Sequence, residues 1–290
     1  MYYRQKILLS LIEFCGRNLS NTRLEKLLFL YSKKYNQYYD FFPFKYGCFS
    51  LQSYHDKRIL IKNGFLEDSE NSFILKKNIS FIDKIKNEDH NDLKIFSLKH
   101  KRLTNKELIR KTYIEYPFYA SKSIILEDVL DDTEKNVIHN YNEINQKTLF
   151  TIGYEGKTID KYLQILIKNQ INTVIDVRKN PFSMKFNFSK NKFSEYLKRV
   201  NIKYFHFPEL GIHSFLRSNL ETPDDYKKLF TIYEREILTK NQIYIYKIYE
   251  LLKKYNQIVL MCFEKDYHYC HRYKIAECCN SQFNIPIKHL

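Results

Sequence analysis

The 290-residue, 35.4 kDa chain is long enough for two average domains or one extended one, and its 44% hydrophobic and 28% charged content argues against wholesale disorder. No apolar run approaches the roughly 18–20 residues of a membrane span, and the apolar start is helically patterned with no small-residue cleavage site after it, so a cytoplasmic protein with no membrane partner is expected. The net charge of +15 is shared, with 25 basic and 19 acidic residues in 1–150 against 23 and 14 in 151–290; this suits nucleic acid or another polyanion, or else a lysine-rich surface with no partner.

In chain order, helical spacing predicts a first helix over about Lys6–Arg17 and a second after the capping types Ser20 and Asn21, with Leu24, Leu27, Leu28 and Tyr31 on one face. The aromatic stretch from Tyr38 to Phe49, holding Pro43 and Gly47, is a loop or short strand, and is either core or a surface for stacking bases. Ser50 opens a third helix that Gly64 ends. Residues 64–77 read as a hairpin turning near Asp68–Ser72. Helices followed by a hairpin predict a mainly helical, winged-helix-like domain over residues 1–128. His55, Lys57 and Arg58 are then candidate nucleic-acid contacts on a recognition helix; the alternative is a scaffold that binds protein. Residues 80–128 continue helical, and 129–147 are polar and low in complexity, a candidate linker.

From 148 the pattern changes. TLFTIG, INTVIDV, IKYFHF, QIVLMCF and NIPIKHL read as strands separated by amphipathic helices, one of them started by Thr222-Pro223-Asp224-Asp225. The order predicts an α/β domain over 148–290: a mostly parallel sheet flanked by helices on both faces. With only 6 Gly and 6 Pro in the chain, their placement is informative. In this domain they gather at the strand-to-loop junctions Gly153–Lys157, Asp176–Pro181 and His206–Gly211. Cys262–Asp266 and Cys270-His271-Arg272 follow the fourth strand. In an open parallel sheet such junctions share one edge, where ligands bind.

The chemistry at that edge suits an anion. Arg178 and Arg272 are candidate bidentate anion ligands, Arg272 at a helix start where backbone N–H groups add positive potential. Gly153, Tyr154, Lys179 and His271 complete the candidate anion-binding set. Asp176, Glu209 and Glu264 are candidate acid–base groups, and Cys262 or Cys270 a candidate nucleophile. The alternatives are a structural Asp176–Arg178 ion pair and a core role for Cys262. Gly153 and Gly156 are too little for a dinucleotide fingerprint, so no cofactor is expected. Cys262, Cys270, His271 and Cys278 lack the paired spacing of a zinc site, so no metal is expected. Cys278 and Cys279 read as packing, and all six cysteines as reduced thiols.

The motifs TIGYEGKTID, DVRKNPFSMKFNFSK, YFHFPELGI, CFEKDYHYCHR and the closing HL together resemble the domain of unknown function 488 family over about residues 149–290. The resemblance implies an α/β sandwich with a pocket formed by those motifs, and assigns no activity. The DVR after a strand is also similar to rhodanese-like domains. Their cysteine loop, with Arg close behind Cys, is missing here, which argues against sulfur transfer and phosphatase chemistry. KLLFLYSKKYNQYYDFFPFKYGCFSLQ resembles an N-terminal module of prophage-associated proteins. Two functions follow as expectations. One is an enzyme acting on a nucleic acid or nucleotide-like anion. The other is a non-catalytic winged-helix DNA-binding regulator whose α/β domain senses a small anionic ligand.

Overall fold

Helix α1 (Tyr3–Phe14) opens a computed structural model that describes residues 1–139, 146–217 and 220–290. The chain forms two units, Met1–Asn142 and Glu143–Leu290. Among the described residues no helix is long and apolar enough to cross a membrane.

In the first unit β1 (Asn18–Ser20), α2 (Asn21–Lys34), a hairpin of β2 (Phe42–Phe44) and β3 (Gly47–Phe49), and α3 (Leu51–Lys62) follow α1. Hairpin β4 (Leu66–Ser69) and β5 (Ser72–Leu75) comes next, then α4 (Asn87–His100), α5 (Asn105–Glu115), α6 (Pro117–Ala120), α7 (Leu126–Val129) and α8 (Asp132–His139). The expected caps form: Ser20 and Ser50 hydroxyls accept from the backbone N–H groups of Arg23 and Ser53. Strand β5 lies between β1 and β4 in an antiparallel sheet.

Two expectations change here, and one open alternative closes. Lys57 is not presented to solvent: it is buried, paired with Glu25 at 3.3 Å and set over the Phe73 ring, whereas His55 and Arg58 are exposed. Much of the aromatic stretch is core, since Tyr39, Phe41 and Phe42 are buried and Phe41 meets Phe29 edge-on. Within 129–147, expected as a linker, α8 buries Ile138 in a cluster with Val129 and Leu130; residues 140–145 of that stretch lie outside the described residues.

The second unit holds β6 (Thr148–Gly153), α9 (Ile159–Lys168), β7 (Thr173–Asp176), α10 (Lys190–Arg199), β8 (Lys203–His206), α11 (Pro223–Tyr233), α12 (Gln242–Tyr255), β9 (Gln257–Cys262), α13 (His271–Phe283) and β10 (Ile287–His289). Thr222 and Asp225 close the expected capping box on α11. The five strands form one wholly parallel sheet in the order β10-β6-β9-β7-β8. Strand β9 is buried along its whole length, as a central strand covered on both faces must be. Leu149, Ile175, Ile258 and Leu260 pack with Ile245, Ile248 and Leu252 of α12 and Ile275 and Cys279 of α13. Their alternates Phe150, Val174, Val259 and Met261 are buried too, so side chains on both faces are covered.

The strand order positions the site. The connections leaving β6 and β7 run toward the β8 edge, while the one leaving β9 runs back past β6 to β10. This reversal opens a crevice at the carboxyl end of β9. The residue at that end is Cys262.

Candidate functional site

Two glycines let the loops at this edge close on one another. A Cβ on Gly153 would stand 1.7 Å from the Glu264 carbonyl oxygen, and one on Gly211 would stand 2.2 Å from the Lys179 backbone nitrogen. Glycine is required at both by close backbone approach. At Gly156 the requirement is instead a turn with φ of +72°.

The Asp176–Arg178 pair forms a closed network. Arg178 is 5% exposed and donates from Nε to Asp176 Oδ1 (2.8 Å) and from Nη2 to Oδ2 (2.6 Å) and to the Phe188 carbonyl (3.0 Å). Its Nη1 donates to the Tyr154 hydroxyl at 3.1 Å. Asp176 also accepts from the Arg178 backbone (3.1 Å) and the Tyr204 hydroxyl (2.7 Å). Burial works against the Arg178 charge, but its hydrogen bonds to Asp176 outweigh this and raise its pKa. A carboxylate with four donors is not available as a base, and a guanidinium so occupied has little left for an anion. Of the two readings, the buried ion pair is the one the contacts of Asp176 form; Arg178, held in that pair, still lines the cavity described below.

Arg272 is likewise held by protein groups. It is 1% exposed, and its Nη1 and Nη2 donate to the carbonyls of Glu264 (2.7 Å) and Lys265 (3.2 Å), pinning the loop after β9. Gly153 serves by close packing, and its carbonyl accepts from Lys157 Nζ at 2.9 Å. Glu209 engages Tyr244.

What opens to solvent is a cavity of about 340 Å³ with Cys262 in its wall. Lys179, His213 and Arg217 supply polar walls, and Tyr154, Phe182 and Phe263 supply flat aromatic ones. Of the expected anion ligands, Arg178, Lys179 and Tyr154 line it, while Arg272, Gly153 and His271 do not.

Arg217, on a short 3-10 turn, is a candidate site residue that the sequence did not flag. Its Nη1 donates to Glu264 Oε1 (2.7 Å) and its Nη2 lies 3.2 Å from His271 Nδ1. His271 Nε2–H donates to the Val177 carbonyl at 2.9 Å, which leaves Nδ1 as the acceptor. That nitrogen stands 3.9 Å from both Cys262 Sγ and Cys270 Sγ. Burial disfavours the Cys262 thiolate, but the Cys270 thiol bonding to it, the charge of His271 and the charge of Arg217 outweigh burial. Together they hold the thiol well below its ordinary range. Burial and the neighbouring Cys262 charge push Cys270 the other way. Burial opposes the His271 cation and the Cys262 thiolate more than offsets it, so its pKa rises; burial and the same thiolate raise Glu264.

The arrangement is one low-pKa thiolate with a proton acceptor, a second thiol as donor and a carboxyl nearby. Cys262, Cys270 and His271 also bring three possible ligand atoms within 4.8 Å of one another. The Arg217 guanidinium already faces the His271 lone pair, so a bound cation would have to displace another cation. Cys278, weighed as a fourth ligand, instead accepts from Gln282 at 3.3 Å.

Fold and site together define a parallel α/β domain with a cysteine–histidine centre at its carboxyl edge. Residues 158–279 match the model of the family described as domain of unknown function DUF488, in agreement with the motif resemblance over the C-terminal half. No curated protein and no solved structure matches the chain.

Proposed function

We propose that the protein is an enzyme acting on a nucleotide-like anionic substrate, with Cys262 as nucleophile and His271 as its proton acceptor. The observation that carries this reading is the Cys262 thiol in the wall of a cavity whose polar lining includes Arg217, Lys179, Arg178 and His213. A thiolate, not a thiol, attacks electrophiles, and a histidine and an arginine beside the sulfur favour that form. Arg217 and Lys179 would take the substrate's charge, while Phe182 and Phe263 offer faces for a planar base. Glu264, with its raised pKa, would donate its own proton to the group that leaves as the sulfur bond forms, while His271 keeps the proton taken from Cys262.

The first unit supports a nucleic-acid module of winged-helix type. A helix exposing His55 and Arg58 precedes a hairpin, and the hairpin pairs with β1 to complete a three-stranded sheet. That topology also favours a second reading, a regulator whose α/β domain binds the anion without turnover.

The test is iodoacetamide labelling of the full chain, mapped by mass spectrometry. Cys262 should label rapidly below pH 8, under the ordinary thiol pKa of about 8.5, and pyrophosphate or adenosine monophosphate should slow it. Labelling that appears only above the ordinary thiol range would end the nucleophile reading. Protection by nucleotide without consumption of any nucleotide or oligonucleotide would favour the regulator.

A further inference from the structure

We propose that the loop after β7 is a platform for single-stranded nucleic acid, which lays one nucleotide over the mouth of the Cys262 cavity. The inference rests on the reading of that cavity given above and narrows its substrate from a nucleotide-like anion to a polymer.

Residues 177–194 carry five basic residues and no acidic one, interleaved with four phenylalanines and a methionine. Three of these apolar side chains stand in solvent over five residues: Phe182 is 73% exposed, Met184 99% and Phe186 69%. A water-soluble surface has no packing reason to hold them there. Phe182, Lys179 and Asn180 also line the cavity, so the platform runs continuously into its mouth. His213, another lining residue, stacks on exposed Phe215 with ring centroids 5.4 Å apart and planes 27° off parallel.

Of these cations Arg178 is spent on Asp176 and Lys192 on Glu195, whereas Lys185 and Lys190 make no carboxylate pair among the described residues. Lys185 Nζ reaches the Lys157 carbonyl at 3.3 Å, and Lys190 Nζ lies 3.4 Å from His206 Nδ1. Exposed apolar side chains alternating with the ammonium groups of Lys185 and Lys190 match a chain that alternates bases with phosphates. Base stacking on such side chains is tolerant of sequence and needs unpaired bases, since a duplex hides their faces in its own stack. A second copy of this protein is the poorer occupant, because it would bring one acid-free basic loop against another.

The experiment is fluorescence anisotropy of the full chain with a labelled short oligothymidylate and with a duplex of matched length. Met184→Ser combined with Phe186→Ala should weaken single-strand binding roughly tenfold or more, by loss of stacking, and leave duplex binding within about twofold. Lys185→Gln should flatten the salt dependence by about one phosphate contact. All three positions are exposed, so the variants keep the fold. Unchanged single-strand affinity overturns the proposal. So does light scattering that finds a wild-type dimer dissociated by the double variant. Iodoacetamide labelling of wild-type Cys262 keeps the two readings separate. Slow labelling with variant-sensitive strand binding removes the nucleophile alone, and rapid labelling with variant-insensitive binding removes the platform alone.

Discussion

Two charged clusters lie at neighbouring strand ends of the same sheet, and they are built oppositely. At the end of β7, Asp176 and Arg178 exhaust each other, with Tyr154, Tyr204 and the Phe188 carbonyl taking most of what is left. At the end of β9, Cys262, Cys270 and His271 meet at 3.9 Å, longer than the 3.1 Å and shorter contacts of the pair, beside an open cavity. A satisfied cluster holds structure; an under-satisfied one beside solvent is free to change protonation and partners. Charge at a sheet edge is a poor guide to chemistry until its hydrogen bonds are counted.

Removing one partner should separate the two clusters by their costs. Asp176→Ala strands a buried guanidinium and should destabilise by about 3–5 kcal/mol in urea unfolding. Arg272→Ala should follow at roughly 1.5–3 kcal/mol, because the Glu264 and Lys265 carbonyls lose a charged donor. Cys262→Ser should cost about 1 kcal/mol or less, yet abolish labelling at that site. Arg217→Ala should be near-neutral for stability on the same scale, within about 1 kcal/mol, because its ion pair is partly exposed. Its effect lies in the pH profile: loss of a positive neighbour raises the Cys262 pKa, so half-maximal iodoacetamide labelling moves to higher pH. A destabilised Cys262→Ser, or an Arg217→Ala profile that stays in place, would break the contrast.

The architecture was legible because local signals agreed with the global fold. Ser20, Ser50 and Thr222 cap the helices they were expected to start, and the five strands fall where apolar runs and junction glycines put them. The motif junctions do share the carboxyl edge. What the sequence could not give was which charges spend themselves on each other. Asp176 and Arg178 are two residues apart on a strand end, which as readily makes an ion pair as an anion clamp. Lys57 reads as a polar helix residue, but it lies on the side of α3 that meets Glu25 and Phe73. Arg217 carried no motif; it sits among IHSFLRSNL, and only the fold carries it to His271. The one available hint was its place in a glycine-led loop following the third strand.

The Val177 carbonyl that receives the His271 Nε2 proton is the next residue along the chain from Asp176. The seemingly inert ion pair thus anchors the peptide that fixes which imidazole tautomer the cysteine meets. Rigidity at one strand terminus becomes proton bookkeeping at its neighbour, and an imidazole NMR signal from His271 would register disturbances made entirely within the Asp176–Arg178 network.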